Sequence, residues 1–182
     1  MTFEKTVTLK DGRTCLLRNG VASDGKAVLD VFNRTHEETD YLLTYSDENR
    51  FTASQEADFL QRKTDSANNV EIIAVVDDVV AGTAGIDALG MRDKIKHRAV
   101  FGIAITKEFW GLGIGKYLME ACIECAREAG YLQLELEVVA ENERAVEMYR
   151  RAGFIEYGRN PKAFRLRTGE YQELIDMRLE LK

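Results

Sequence analysis

The segment Ile103-Ala104-Ile105-Thr106-Lys107-Glu108-Phe109-Trp110-Gly111-Leu112-Gly113-Ile114-Gly115-Lys116 carries the most readable chemistry in this sequence. A β-branched run enters a turn with glycine at alternate positions, and the turn opens an amphipathic stretch. Glycines let backbone N–H groups approach a ligand without side-chain obstruction. A helix starting there adds about half a positive charge at its N-terminus. Together these favour a phosphate or pyrophosphate. The plainer alternative is a tight strand-to-helix turn in which glycine only relieves strain. Two familiar phosphate patterns fail. In G-x-G-x-x-G, Leu118 stands where the third spaced glycine belongs. In G-x-x-x-x-G-K-[ST], Trp110 replaces the first glycine and Tyr117 the hydroxyl residue.

Other reactive residue types are less informative. Cys122-Ile123-Glu124-Cys125 is a C-x-x-C, but no second pair or neighbouring histidine completes a zinc site, and both thiols fall on an apolar helix face. The expectation is therefore core packing and no metal. His97 reads as a strand-end or packing histidine, with a base as the alternative.

The elements that must position these residues follow from periodicity. Val7 to Leu9 and Cys15 to Leu17 flank Asp11-Gly12, a hairpin signal. Asp24 to Glu38 is helical, with Ala27, Val28, Val31 and Phe32 at helical spacing. A polar loop over 39–52 precedes a second helix to about Asp65, capped by Thr52 or Ser54. Val70 to Val76 is a β-branched run that reads as a strand covered on both faces. Asp77-Asp78 turns the chain into a strand over 79–88, and His97 to Ile105 is the next. The glycine turn opens a helix to about Ala129, ended by Gly130. Leu132, Leu134, Leu136 and Val138 alternate with Gln133, Glu135 and Glu137, a strand with one dry face. Asn142 to Ala152 is a short helix with Ala145, Met148, Tyr149 and Ala152 inward. Strands over about 154–159 and 171–181 close the chain. The order ββαα, then βββαβαββ, predicts a three-layer α/β fold with a mixed sheet.

The whole chain limits the function classes. Its 182 residues suit one domain, with 45% hydrophobic and 31% charged residues. The net charge is 25 − 31 = −6 and the pI is near 5.1. A nucleic-acid binder needs a basic surface, so none is expected. The three cysteines, Cys15 included, do not make a disulfide framework. No signal peptide or long apolar span is legible, so the expected setting is cytoplasmic, without a membrane partner.

Here the residues resemble a family. Trp110-Gly111-Leu112-Gly113-Ile114-Gly115 is similar to the Q/R-x-x-G-x-G acetyl-CoA loop of the Gcn5-related N-acetyltransferases (GNAT), with Trp110 where the family has Gln or Arg. Asn142-Glu143-Arg144-Ala145-Val146-Glu147-Met148-Tyr149-Arg150-Arg151-Ala152-Gly153-Phe154 resembles the family's N-x-x-A-x-x-x-Y-x-x-x-G-F pattern at every fixed position. A helix and a strand separate the two, as the family requires. The likeness spans about 70–181 and leans toward the bacterial branch of ribosomal-protein and amino-acid N-acetyltransferases. It makes 1–182 a single N-acetyltransferase domain, with 1–69 a variable substrate-side segment and 70–181 the acetyl-CoA-binding core.

The resemblance implies a GNAT-like α/β fold whose mixed central sheet is splayed between two parallel strands and flanked by helices. It implies that the backbone of Ile103, Ala104 and Ile105 pairs with pantetheine amides, and that N–H groups of Gly111, Leu112, Gly113, Ile114, Gly115 and Lys116 hold the pyrophosphate. Asn142, with Ala145, would meet the pantetheine region. Tyr149 would protonate the departing thiolate, the alternative being a core aromatic. Arg144, Arg150 and Arg151 either contact CoA phosphates or form a solvated face. Transfer needs a neutral amine, so a carboxylate or water chain must take a proton. Asp87 is the first candidate, while Glu37, Glu38 and Asp40 could bind a cationic substrate. The expected activity is direct acetyl transfer from acetyl-CoA, without metal, to a primary amine of a small molecule, amino acid or peptide N-terminus. A non-catalytic acyl-CoA-binding sensor is the alternative. The C-terminal strands could pair two subunits into a homodimer.

Overall fold

Two tight turns set the first half of the sheet. Gly12, at φ +89°, turns β1 (Glu4–Thr8) onto β2 (Thr14–Asn19). Asp77 and Asp78 both take positive φ, the mirror-image turn whose twist matches a hairpin, and join β3 (Val70–Val76) to β4 (Val79–Ala88). Between the hairpins run α1 (Gly25–Glu38) and α2 (Ala53–Asp65). Thr52 caps α2 by accepting from the Gln55 N–H at 3.3 Å. The computed structural model describes residues 1–181; Lys182 lies outside the described residues.

After β4 come β5 (Arg98–Ile105), α3 (Ile114–Glu128), β6 (Gln133–Val139), α4 (Glu143–Arg151), β7 (Ile155–Arg165) and β8 (Tyr171–Glu180). The strands form one mixed sheet in the order β1-β2-β3-β4-β5-β6-β8-β7. Alternation on β3 shows how it is covered. Ile72 and Ala74 pack with Leu118 and Cys122 of α3, whereas Ile73 between them packs with Val28 of α1 and Leu60 of α2. Successive side chains point to opposite faces, so α1 and α2 form one outer layer and α3 with α4 the other. The three-layer α/β fold with a mixed sheet is as the element order predicts, and its splay is as the resemblance implies.

The splay itself is visible in the register. β5 and β6 run parallel and pair only over Arg98–Val100 with Gln133–Glu135. Beyond Val100 each keeps its outer neighbour, β4 or β8, and the two diverge into a V. Three expectations shift. β7 runs on to Arg165 because register shifts around Glu156/Gly158 and Asn160/Phe164 absorb Pro161 on an edge strand, where a missing N–H is tolerated. In α4 the fully buried residues are Val146 and Tyr149, with Ala145, Met148 and Ala152 half-buried against the core. The polar face of β6 is not uniformly wet, since Glu135 is buried against Arg98.

Candidate active site

A cleft of about 1920 Å³ follows the V from the glycine turn to the opposite face of the sheet. The turn is built as its residues demand. Gly111 (φ +88°) and Gly113 (φ +97°) occupy left-handed conformations that a side chain resists. Gly113 caps the 15-residue α3. A Cβ on Gly115 would stand 3.2 Å from Met148 Sδ and 3.4 Å from Ile105 Cδ1, so its bareness lets α3 start against α4 and β5.

Among the described residues, the N–H groups of Gly111, Leu112, Gly113, Ile114 and Gly115 have no backbone acceptor. Lys116 differs: its N–H is bound to the Gly113 carbonyl at 3.1 Å. The donor cradle therefore ends one residue earlier than expected, although Lys116 still lines the cleft. Leu112 is not part of the cleft wall, and its carbonyl accepts from the Lys10 N–H at 3.1 Å. Lys10, from the first hairpin turn, runs beside Gly113 and joins the wall. Arg144 brings its guanidinium within 3.7 Å of where a Gly111 side chain would begin. Of the other two arginines of α4, Arg151 pairs with Glu147 at 2.8 Å and Arg150 with Glu156 at 3.5 Å.

The β5 wall of the V can be read from backbone alternation. The Arg98 carbonyl accepts from Leu89 and the Thr106 N–H donates to Ala81, so even-numbered residues face β4. Ala104 is thus committed to the β4 ladder opposite Thr83, and its backbone does not offer a pairing edge to the cleft. Phe101, Ile103 and Ile105 present theirs to the V. The Ile105 carbonyl already accepts the Trp110 indole N–H at 2.7 Å. Trp110, which departs from the family pattern, therefore ties the turn back to the strand that enters it.

On the α4 side, Asn142 uses its side-chain oxygen to cap the helix, accepting from the Ala145 N–H at 3.3 Å, and lines the cleft with Ala145. Tyr149 lies one helical turn beyond Ala145, edge-on to Phe101 (ring centroids 6.1 Å apart) and tilted against Phe154 (5.8 Å). It is 6% exposed, yet borders the cleft. Burial pushes its phenol far above the usual tyrosine range, so it stays protonated at neutral pH.

Across the sheet the carboxylates fall differently from expectation. Asp87 is outside the cleft wall. Its register with Val100 puts it on the α1/α2 face, where its carboxylate meets Lys63 Nζ at 2.7 Å. Glu38 pairs with Arg34 at 2.9 Å. Asp40 lines a separate cavity of about 160 Å³. The carboxylates on the acceptor-facing wall of the V are Glu135 and Glu137. Arg98 holds Glu135 in a two-pronged ion pair through Nε and Nη2. Glu137 is exposed and in no ion pair among the described residues. The alternation of β6 had already marked Glu137 as a face residue, but nothing in one sequence showed that this face opens into the V. Among the described residues no three His, Cys, Asp or Glu side chains group as a metal site.

Comparison with known proteins agrees with this geometry. Residues 30–154 match the model of a family described as the acetyltransferase (GNAT) family. An L-amino acid N-acetyltransferase of Escherichia coli K12 is 31% identical over 118 residues, which cover 64% of this chain and 72% of that protein. Among solved structures, an acetyltransferase of the GNAT family from Streptococcus pneumoniae superposes with a TM-score of 0.87 at 27% identity, covering 91% of this chain and 99% of its own. A Salmonella typhimurium protein solved with its cofactor acetyl-CoA shares the fold at TM-score 0.81 and 16% identity, over 91% and 93% of the two chains.

Proposed function

The chain belongs to the acetyltransferase (GNAT) family, and on that premise we propose that it moves an acetyl group directly from acetyl-CoA to the nitrogen of a primary amine. The observation that carries this reading is the V between β5 and β6. It joins an anion-binding turn on one face of the sheet to a free carboxylate on the other, with a protonated phenol between.

Each residue then has a task. The N–H groups of Gly111 to Gly115 and the N-terminus of α3 receive the pyrophosphate, with Lys10 and Arg144 beside them as cations. The V-facing backbone of Phe101 and Ile103 pairs with the pantetheine arm as an added strand would, and places N–H donors where the thioester oxygen gains charge. The thioester supplies an activated acyl carbon. Glu137 takes the proton from the incoming ammonium, directly or through water, and the neutral nitrogen bonds to the carbonyl carbon. As the C–S bond breaks, Tyr149 donates its proton to the sulfur, and the second proton, shed by the nitrogen as it becomes the amide, restores the phenol. Asn142 fixes the start of α4 and hence the depth of Tyr149.

The test is a panel of primary amines, amino acids and short peptides assayed for CoA release, with acetyl-CoA binding measured in parallel by calorimetry. Amine-dependent release with N-acetylated product is expected. Tight acetyl-CoA binding without release for any amine would leave an acyl-CoA-binding domain instead.

A further inference from the structure

We infer that the acceptor is a primary amine on an apolar or aromatic skeleton with no carboxylate next to its nitrogen, rather than a free amino acid. The inference rests on the acetyl-transfer reading above and narrows it.

The acceptor must enter the V from the α1/α2 face, because the glycine turn and α4 occupy the other. On that face the cleft is walled by Tyr41 and Leu42 after α1, by Tyr157 and Phe164 of β7, and by Glu135 and Glu137 of β6. Tyr41 is 36% exposed and Tyr157 is 50% exposed, large apolar rings left open to the cleft mouth. Such surface marks a place where a ligand's apolar body is received.

The charges are one-sided. Glu135 is neutralised by Arg98, so Glu137 is the charge that an acceptor meets. The cations of the neighbourhood are committed elsewhere or stand outside the wall. Arg98 serves Glu135. Arg178 lies over the Tyr157 ring at 5.6 Å and 3.4 Å from Glu180. Its register opposite Glu135 places it toward the closed end of the V. Arg167 pairs with Asp47 at 2.6 Å, and Arg165 lines the adjoining small cavity together with Asp40. Lys10 of the first hairpin, Lys116 and Arg127 of α3, and Arg144 and Arg151 of α4 line the cleft across the sheet.

An α-amino acid carries its carboxylate two bonds from the nitrogen. Setting that nitrogen at Glu137 brings two carboxylates together, and no cation of that wall among the described residues receives the second, so the like charges repel. An amine without that group, or an amino terminus whose carboxyl is tied in an amide, meets only the favourable charge and the apolar walls.

The test compares phenylalanine, phenylalanine amide, a phenylalanyl dipeptide amide and phenethylamine. Two quantities are read: kcat/KM for acetyl transfer, and calorimetric affinity for the CoA-saturated protein. Phenethylamine is the decisive arm, because its ammonium is no easier to deprotonate than that of phenylalanine, so a gain cannot come from more free base. The three carboxylate-free amines should exceed phenylalanine by at least about tenfold in both readouts. The dipeptide amide against phenethylamine separates a peptide amino terminus from a free amine as the source. In Glu137→Gln the affinity ratio of phenethylamine to phenylalanine should fall toward one. Phenylalanine matching or outdoing phenethylamine, or a ratio unmoved in Glu137→Gln, overturns the inference and leaves acetyl transfer standing. No transfer to any of the four overturns acetyl transfer for this class, while the affinities still decide the preference.

Discussion

At the scale of single residues, Tyr149 joins two properties that usually exclude each other: it packs like a core ring and borders a reactive cleft. Its edge contact with Phe101 and its neighbour Phe154 fix the ring, and burial shifts its phenol further above the usual tyrosine range, so it is protonated at neutral pH as any tyrosine is. Tyr149→Phe keeps the ring and removes the proton. Loss of a general acid costs about 10²–10⁴ in rate, whereas the proposed function assigns cofactor binding chiefly to the turn. The expected result is a collapsed kcat with acetyl-CoA affinity nearly unchanged, read from steady-state kinetics beside calorimetry. Wild-type turnover from pH 6 to 9, with chemistry rate-limiting, would make Tyr149 a packing residue. That Tyr149, Asn142, Gly111, Gly113 and Gly115 border one cleft was legible through two family-like motifs, each local in sequence. Glu137 was legible only as a face residue and Asp87 was misplaced, because which carboxylate meets the V depends on where two strands part, a long-range property of the sheet.

In the proposed function, the strand-turn-helix unit is the element that receives the cofactor's pyrophosphate. Gly111 and Gly113 hold φ values near +90°, the Trp110 indole ties the unit to β5, and Lys10 reaches it from the first hairpin. The unit itself was readable from alternating glycines before an amphipathic run. Its two fasteners were not, since Trp110 reads as a departure from a pattern and Lys10 lies far away in sequence. At Gly113 there is room for a Cβ, with the nearest atoms at 3.8 Å, so the cost of substitution is conformational and electrostatic rather than steric. Gly113→Ala forces a left-handed alanine, about 1–2 kcal/mol. Gly113→Asp adds a negative charge where a polyanion must sit. We expect Gly113→Asp to weaken acetyl-CoA at least about tenfold, roughly 1.4 kcal/mol, and more than Gly113→Ala does. Equal affinities for wild type and a folded Gly113→Asp protein would move the pyrophosphate away from this turn.

At the scale of the whole molecule, the helical layer carrying the acceptor side is fastened to the sheet partly by charge. Lys63 of α2 is buried, and its ammonium lies 3.2 Å from Glu71 of β3 and 2.7 Å from Asp87 of β4, with Phe59 beneath it. Burial works against its charge, but the two carboxylates outweigh it and raise the ammonium's pKa. Glu71, largely dry, is pushed upward by burial despite Lys63. Asp87 thus shares with Glu71 the cation that favours the ionised form of both carboxylates. Lys63→Met leaves Glu71 a buried charge without a partner, a loss of about 3–5 kcal/mol. Methionine retains most of the packing volume, so the loss is electrostatic and must depend on pH. A carboxylate whose folded-state pKa lies above its unfolded value disfavours folding when ionised, and that penalty lifts as pH falls through the folded value. In Lys63→Met that value rises further. The deficit relative to wild type, measured by urea unfolding, should therefore be largest near pH 7 and shrink as the pH falls toward the ordinary carboxylate range. Adding Glu71→Gln to Lys63→Met should recover part of the loss at pH 7 and flatten this dependence. A deficit constant from pH 7 to pH 5, and untouched by Glu71→Gln, would mean that Lys63 holds α2 by packing and not by charge.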